Sequence, residues 1–210
     1  MVSSPGMNSR WDSFDYICQS CGRCCYDKDV RVNPYEVARL AANRGQTTTE
    51  FRAAWTRDGK GTLLNQTDGG ACVFLGHEGC TVYPDRPFAC RLYPLGRHVD
   101  GGGETFRRVE GHPQSAGEFV NKGSISQYLE RQGAEPFIQA TDEYFKWACA
   151  AHASLNDTVA VCDREAGTIS LALDLLDIDA VIASHCRDTR QSEPLNLDER
   201  KKLHLALLPS

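Results

Sequence analysis

Seven cysteines between residues 18 and 90 carry the chemistry of this chain: Cys18-x-x-Cys21-x-x-Cys24-Cys25, then Cys72, Cys80 and Cys90. Thiols packed so closely are either oxidised to disulfides or deprotonated onto metal. A Cys-x-x-Cys pair turns tightly enough for both sulfurs to reach one metal, and backbone amides of the turn can donate to the thiolates. Gly22 suits such a turn because it tolerates positive φ. Cys24 and Cys25 are adjacent, so their side chains diverge and do not readily fill two corners of one tetrahedron. Cys25 then serves a second metal or another iron of the same cluster. Cys72, Cys80 and Cys90 are too widely spaced to form a site alone and are expected to close the first group. Seven thiolates exceed the four that one zinc ion or one cubane cluster takes. The surplus favours a polynuclear iron–sulfur centre, with zinc as the alternative and Cys72 the least secure ligand.

Bulk properties favour metal over disulfides. A chain of 210 residues buries a real core and does not need a disulfide scaffold. The N-terminus Met1-Val2-Ser3-Ser4-Pro5-Gly6 has no apolar signal region, so the expected compartment is the reducing cytoplasm. The net charge of -5 gives no footprint for nucleic acid. No stretch approaches the ~20 apolar residues that span a bilayer. The partner expected on these grounds is a protein or peptide, not a nucleic acid or a membrane. P-loop, GxGxxG, HExxH and GxSxG motifs are all missing, which leaves open whether the chain is an enzyme.

Basic residues crowd the thiols: Arg23, Lys28, Arg31, Arg86, Arg91 and Arg97. Arg86 and Arg91 are the candidate cofactor-binding residues. Each sits beside a proline turn or directly after a cysteine, where it can donate to cluster sulfur or hold an anionic substrate. The segment from Arg86 to Pro94 is the expected rim of the site, with Phe88 and Tyr93 as apolar walls. Cys149, Cys162 and Cys186 read as core cysteines, and His77 as an exposed loop residue. His98, His112, His152, His185 and His204 lack ligand spacing. Asp174, Asp177 and Asp179 read as a solvated helix face.

The elements that must position these residues are announced mainly by caps. Asn33-Pro34-Tyr35-Glu36 opens one helix that Gly45 stops, and Thr47-x-x-Glu50 opens a second carrying Phe51, Ala54 and Trp55. Residues 59–79 read as loops with short strands near Leu63-Leu64 and Cys72-Val73-Phe74. Arg97 to Arg108, broken by three glycines, reads as a surface hairpin. Helices are expected over Ile125–Arg131, from Glu135 onward, over Ser170–Ser184, and after the Asn196-x-x-Glu199 cap. The expected fold is α+β, mainly α: an irregular Cys-rich metal-binding N-terminal half with short strands, and a helical C-terminal half. One domain over 1–210 is expected, with the cluster in 14–95 and the helical part in 117–208.

Phe14-x3-Cys18-x2-Cys21-Gly22-x-Cys24-Cys25, followed by Cys72-x-Phe74-Leu75, Cys80-x-Val82-Tyr83-x2-Arg86-Pro87-x2-Cys90-Arg91-x-Tyr93-Pro94, resembles the YkgJ-type cysteine-cluster family. The resemblance covers roughly residues 14–95 and implies a zinc- or iron-chelating protein. The flagellin lysine N-methylases are similar in carrying such a cluster, which for them implies an iron–sulfur centre. They are longer, and this chain has no glycine-rich nucleotide loop for S-adenosylmethionine. The resemblance therefore implies a metal centre more firmly than an activity.

Overall fold

A computed structural model describes residues 9–120, 122–155 and 173–209 of the chain. The expected core cysteine Cys162 and the Ser170 end of the expected third helix lie outside the described residues, and so does the His152 side chain. The described strands are β1 (Tyr16–Ile17), β2 (Leu75–Gly76), β3 (Gly79–Cys80), β4 (Leu95–Asp100), β5 (Gly103–Arg108) and β6 (Glu118–Phe119). The described helices are α1 (Pro34–Arg44), α2 (Thr48–Trp55), α3 (Phe88–Leu92), α4 (Ile125–Arg131), α5 (Glu135–Leu155), α6 (Ile178–Thr189) and α7 (Leu197–Leu207). The strands pair antiparallel as β1–β6, β2–β3 and β4–β5. The fold is α+β and mainly α, as expected. No helix among the described residues is long and apolar enough to cross a membrane.

Packing gathers residues 1–31 and 65–136 into one compact unit, and 32–64 and 137–210 into a second. The second unit is helical. Asn33 accepts from the Glu36 amide at 3.0 Å while Glu36 returns a carboxylate to the Asn33 amide at 2.8 Å, and Gly45 ends α1 at φ 65°. Thr47 and Glu50 repeat this box on α2. Each N-cap is worth about 1 kcal/mol. α1 packs against α6 and α7, and α2 against α6. The helical part is thus discontinuous, and its first two helices come from the segment between Cys25 and Cys72. Ala38, Ile178, Ile182 and Cys186 form one core cluster, so Cys186 is the core thiol its apolar context announces. Cys149 departs from that expectation: it is half-buried on α5 and disulfide-bonded.

Asp177 corrects the reading of the acidic trio as a solvated face. It is 3 % exposed and caps α6 through the Ala180 amide at 3.2 Å. It accepts the Thr48 and Thr49 hydroxyls at 2.5 and 2.7 Å and meets Arg52 at 3.2 Å. Burial opposes its charge, but these donors and the Arg52 guanidinium outweigh burial and hold its carboxyl below the usual range. Asp179 is likewise engaged, by the Thr48 amide at 2.8 Å and Arg200 at 2.6 Å. Because Asp177 caps, the expected helix over Ser170–Ser184 becomes a 3-10 turn at Leu173–Leu176 followed by α6, which runs on to Thr189. Fully buried His204 lies between the Tyr144 hydroxyl and the Leu175 carbonyl, each at 2.8 Å.

The first unit is irregular and holds the cysteine array. Its β4–β5 hairpin is less superficial than its charge pattern implies, because Leu95 and Phe106 face inward and are buried. Arg97, one of the basic residues near the thiols in sequence, pairs with Glu104 at 2.5 Å, and Arg10 joins the same carboxylate. The strands expected at Leu63-Leu64 and Cys72–Phe74 are instead single bridges at Leu64 and Cys72, and the true pairing falls at β2–β3. Ser124 and Gln127 box the start of α4, which buries Ile125, Tyr128 and Leu129. Tyr128 meets Phe14 edge-on at 5.0 Å.

Candidate metal centre

Each cysteine reaches the site on a short, locally determined element. Gly22 takes φ 71° and Ser20 φ 51°, both left-handed, which folds Cys18–Cys21 into a tight turn. A 3-10 turn over Arg23–Cys25 then presents the adjacent pair. The Cys72 amide donates to the Cys25 carbonyl at 2.8 Å, and Tyr26 bridges Ala71, so backbone pairing draws the Cys72 segment alongside. Cys80 leaves β3 opposite Leu75. Cys90 rides on α3, a single short helix that the sequence reading treats as an irregular rim.

The sulfurs share one motif beyond their spacing. The Cys18 sulfur accepts the Ser20 amide at 3.4 Å, and Cys21, Cys72 and Cys80 accept from the backbone of Arg23, Phe74 and Val82. Four cysteines thus take a hydrogen bond from the residue two positions on. Such donors favour the thiolate, the form that binds metal.

Six of the sulfurs also feel one another's charge. Cys24 acts on Cys21, Cys25, Cys72 and Cys80, while Cys90 and Cys72 act on Cys25. The Cys25 thiol donates to Cys24, which brings Cys24 down to about 7 and drives Cys25 up. Burial pushes Cys72 and Cys80 up. Lys28 favours the Cys24 thiolate, and Arg86 that of Cys80. None of the seven cysteines is in a disulfide; Cys18, Cys21 and Cys90 are exposed and the rest half-buried. As placed, no three His, Cys, Asp or Glu side chains among the described residues close round a common point for an ion. What fits a metal is the donor set: soft sulfur, thiolate-directed amides and mutual repulsion that a cation would relieve.

Arg86 and Arg91 both bond to the backbone beside the cysteines. Arg91 is 6 % exposed and donates through Nε to the Arg86 carbonyl at 3.1 Å, through Nη1 to the Gln132 carbonyl at 2.8 Å, and through Nη2 to the Pro84 carbonyl. It clamps the turn that leads into Cys90. Arg86 donates to the Tyr83 carbonyl at 2.7 Å and Gln132 Oε1 at 2.5 Å, and lies over the Tyr83 ring at 3.9 Å. His77 is exposed, as its loop implies. Ser115 and Ala116 are site residues that sequence reasoning missed: Ala116 N–H reaches the Cys21 sulfur at 3.4 Å, and the Ser115 side chain bonds the same sulfur. Nothing in the stretch Gln114-Ser115-Ala116-Gly117 signals this.

Turn-borne cysteines on irregular backbone are a donor set of the kind found in metal-binding proteins. Residues 17–112 match the family model described as "CxxCxxCC: Putative zinc- or iron-chelating domain". No curated protein and no solved structure matches the chain.

Proposed function

We propose that the array holds an iron–sulfur cluster or related polynuclear iron centre, in a redox or protein-modifying role. Cys18, Cys21, Cys24, Cys25, Cys72, Cys80 and Cys90 are the proposed ligands. The observation that supports nuclearity is the Cys24–Cys25 pair, whose neighbouring sulfurs sit in reach of the charge of Cys72, Cys80 and Cys90. One tetrahedral ion takes four sulfurs and leaves three without a role. When bound, the cluster supplies electron transfer or an electrophilic iron. The chain supplies thiolates, turn amides, positive charge from Lys28 and Arg86, and an Arg91 clamp that fixes the Cys90 turn.

Purification without oxygen tests this. A brown protein with iron and acid-labile sulfide supports the cluster, and a colourless protein with stoichiometric zinc rejects it. Structural zinc is the second reading, and the shortness of the strands in the Cys-rich unit favours it, since such a unit leans on metal for its fold. The proposed compartment is the cytoplasm and the proposed partner a protein or peptide, for which Tyr83, 40 % exposed near Cys80, offers a contact. A partner that co-purifies from the host with wild type but not with Tyr83→Ala would support this; equal recovery would reject it.

A further inference from the structure

The loop from His112 to Gly117 is tied to the cysteine array by an ordered set of hydrogen bonds, most of it beyond the stretch that matches the family. Tyr93 Oη accepts the His112 amide at 3.0 Å, and the Ser115 amide turns back to the His112 carbonyl at 2.8 Å. Ser115 Oγ lies 3.0 Å from Tyr16 Oη and accepts the Gly117 amide at 3.3 Å. A serine hydroxyl has one proton and two lone pairs. With its proton given to the Cys21 sulfur, its lone pairs take Gly117 N–H and Tyr16 O–H, and every position is filled. The Ala116 amide adds a second donor from the same loop to that sulfur. Tyr16 is buried and packs edge-on against Tyr93 at 6.2 Å, so the two hydroxyls that hold the loop belong to one rigid pair. Gly117 leaves no room for variation, because a Cβ there would stand 1.9 Å from Tyr16 Oη.

We propose that residues 112–117 form a strap that positions the Cys21 thiolate as a ligand and sets how tightly the centre keeps its metal, with Ser115 and Tyr16 as positioning residues. The inference rests on the metal-binding reading. Beside the Arg23 amide that already reaches the exposed Cys21 sulfur, the strap adds two donors, Ala116 N–H and the Ser115 hydroxyl, that hold it in place. Groups of this kind around a metal ligand change affinity by about 10–100-fold when removed.

The test is the rate at which a coloured chelator strips zinc from the zinc-loaded full chain. Ser115→Ala should speed release by about tenfold. Tyr16→Phe keeps the ring packing, loses only the hydroxyl, and should speed release by less. Gln114→Ala, in the same loop with an exposed side chain, should release at the wild-type rate. A melting temperature measured on each metal-free variant separates positioning from folding: the strap predicts little change for Ser115→Ala there. Zinc-loaded wild type with unchanged release in both Ser115→Ala and Tyr16→Phe overturns the strap alone. Wild type that takes up neither zinc nor iron overturns the metal-binding reading and the strap with it.

Discussion

Cys25 gives its thiol proton to the sulfur of Cys24, its neighbour in the chain. The shared proton lowers Cys24 and raises Cys25, Lys28 favours the Cys24 thiolate, and a metal bound by both sulfurs would displace that proton.

Cys25→Ser keeps a hydrogen-bond donor and removes the sulfur. It should lower metal per chain and lower the melting temperature of the loaded protein. Cys186→Ala, in the helical core, should leave metal content unchanged and cost about 1 kcal/mol by denaturant titration. Equal metal loss in both variants would contradict the assignment.

Arg91→Lys keeps the charge but replaces a planar fork that serves three carbonyls with one ammonium. At least one part-buried carbonyl loses its donor, a cost of about 1 kcal/mol. The expected outcome is lower stability together with faster metal loss, since the clamp leads into Cys90. Unchanged metal retention with loss of partner binding would instead mark Arg91 as part of a recognition surface.

Asp177→Asn strips the counter-charge from buried Arg52 and should cost about 3–5 kcal/mol. The native carboxyl has its pKa below the unfolded value, so its contribution is complete above about pH 4 and is lost as pH falls through the folded value. Denaturation midpoints taken from pH 6 downward should show this acid limb in wild type and a weaker one in the variant.

His204 adds a second pH-dependent contribution. Neutral imidazole donates through Nε2 to the Leu175 carbonyl and accepts the Tyr144 hydroxyl at Nδ1, and burial lowers its pKa. The unfolded chain takes up this proton near pH 6.5 and the folded chain lower, so the contribution is full above 6.5 and declines below it. The slope is at most about 1.4 kcal/mol per pH unit. His204→Gln should flatten the fall in stability below pH 6.5; an unaltered slope would place the titrating group elsewhere.

What was legible in the sequence was local. The boxes at Asn33–Glu36 and Thr47–Glu50, the left-handed Gly22 and the β4–β5 hairpin each depend on residues a few positions apart. What was not legible spans the chain. Asp177 reads as solvated until Thr48, Thr49 and Arg52, more than a hundred residues earlier, are brought to it. Ser115 and Ala116 carry no motif; they matter only because folding sets them on Cys21. Arg91 reads as a free donor beside a cysteine, yet the carbonyls of Pro84, Arg86 and Gln132 occupy it.

X-ray absorption at the iron and zinc edges of the chain, purified without oxygen from cells supplied with both metals, tests the central claim most directly. A polynuclear thiolate-held iron centre predicts iron with sulfur neighbours and an iron–iron scattering shell, lost in Cys25→Ser. Zinc alone in an all-sulfur shell, with no iron bound, would contradict it.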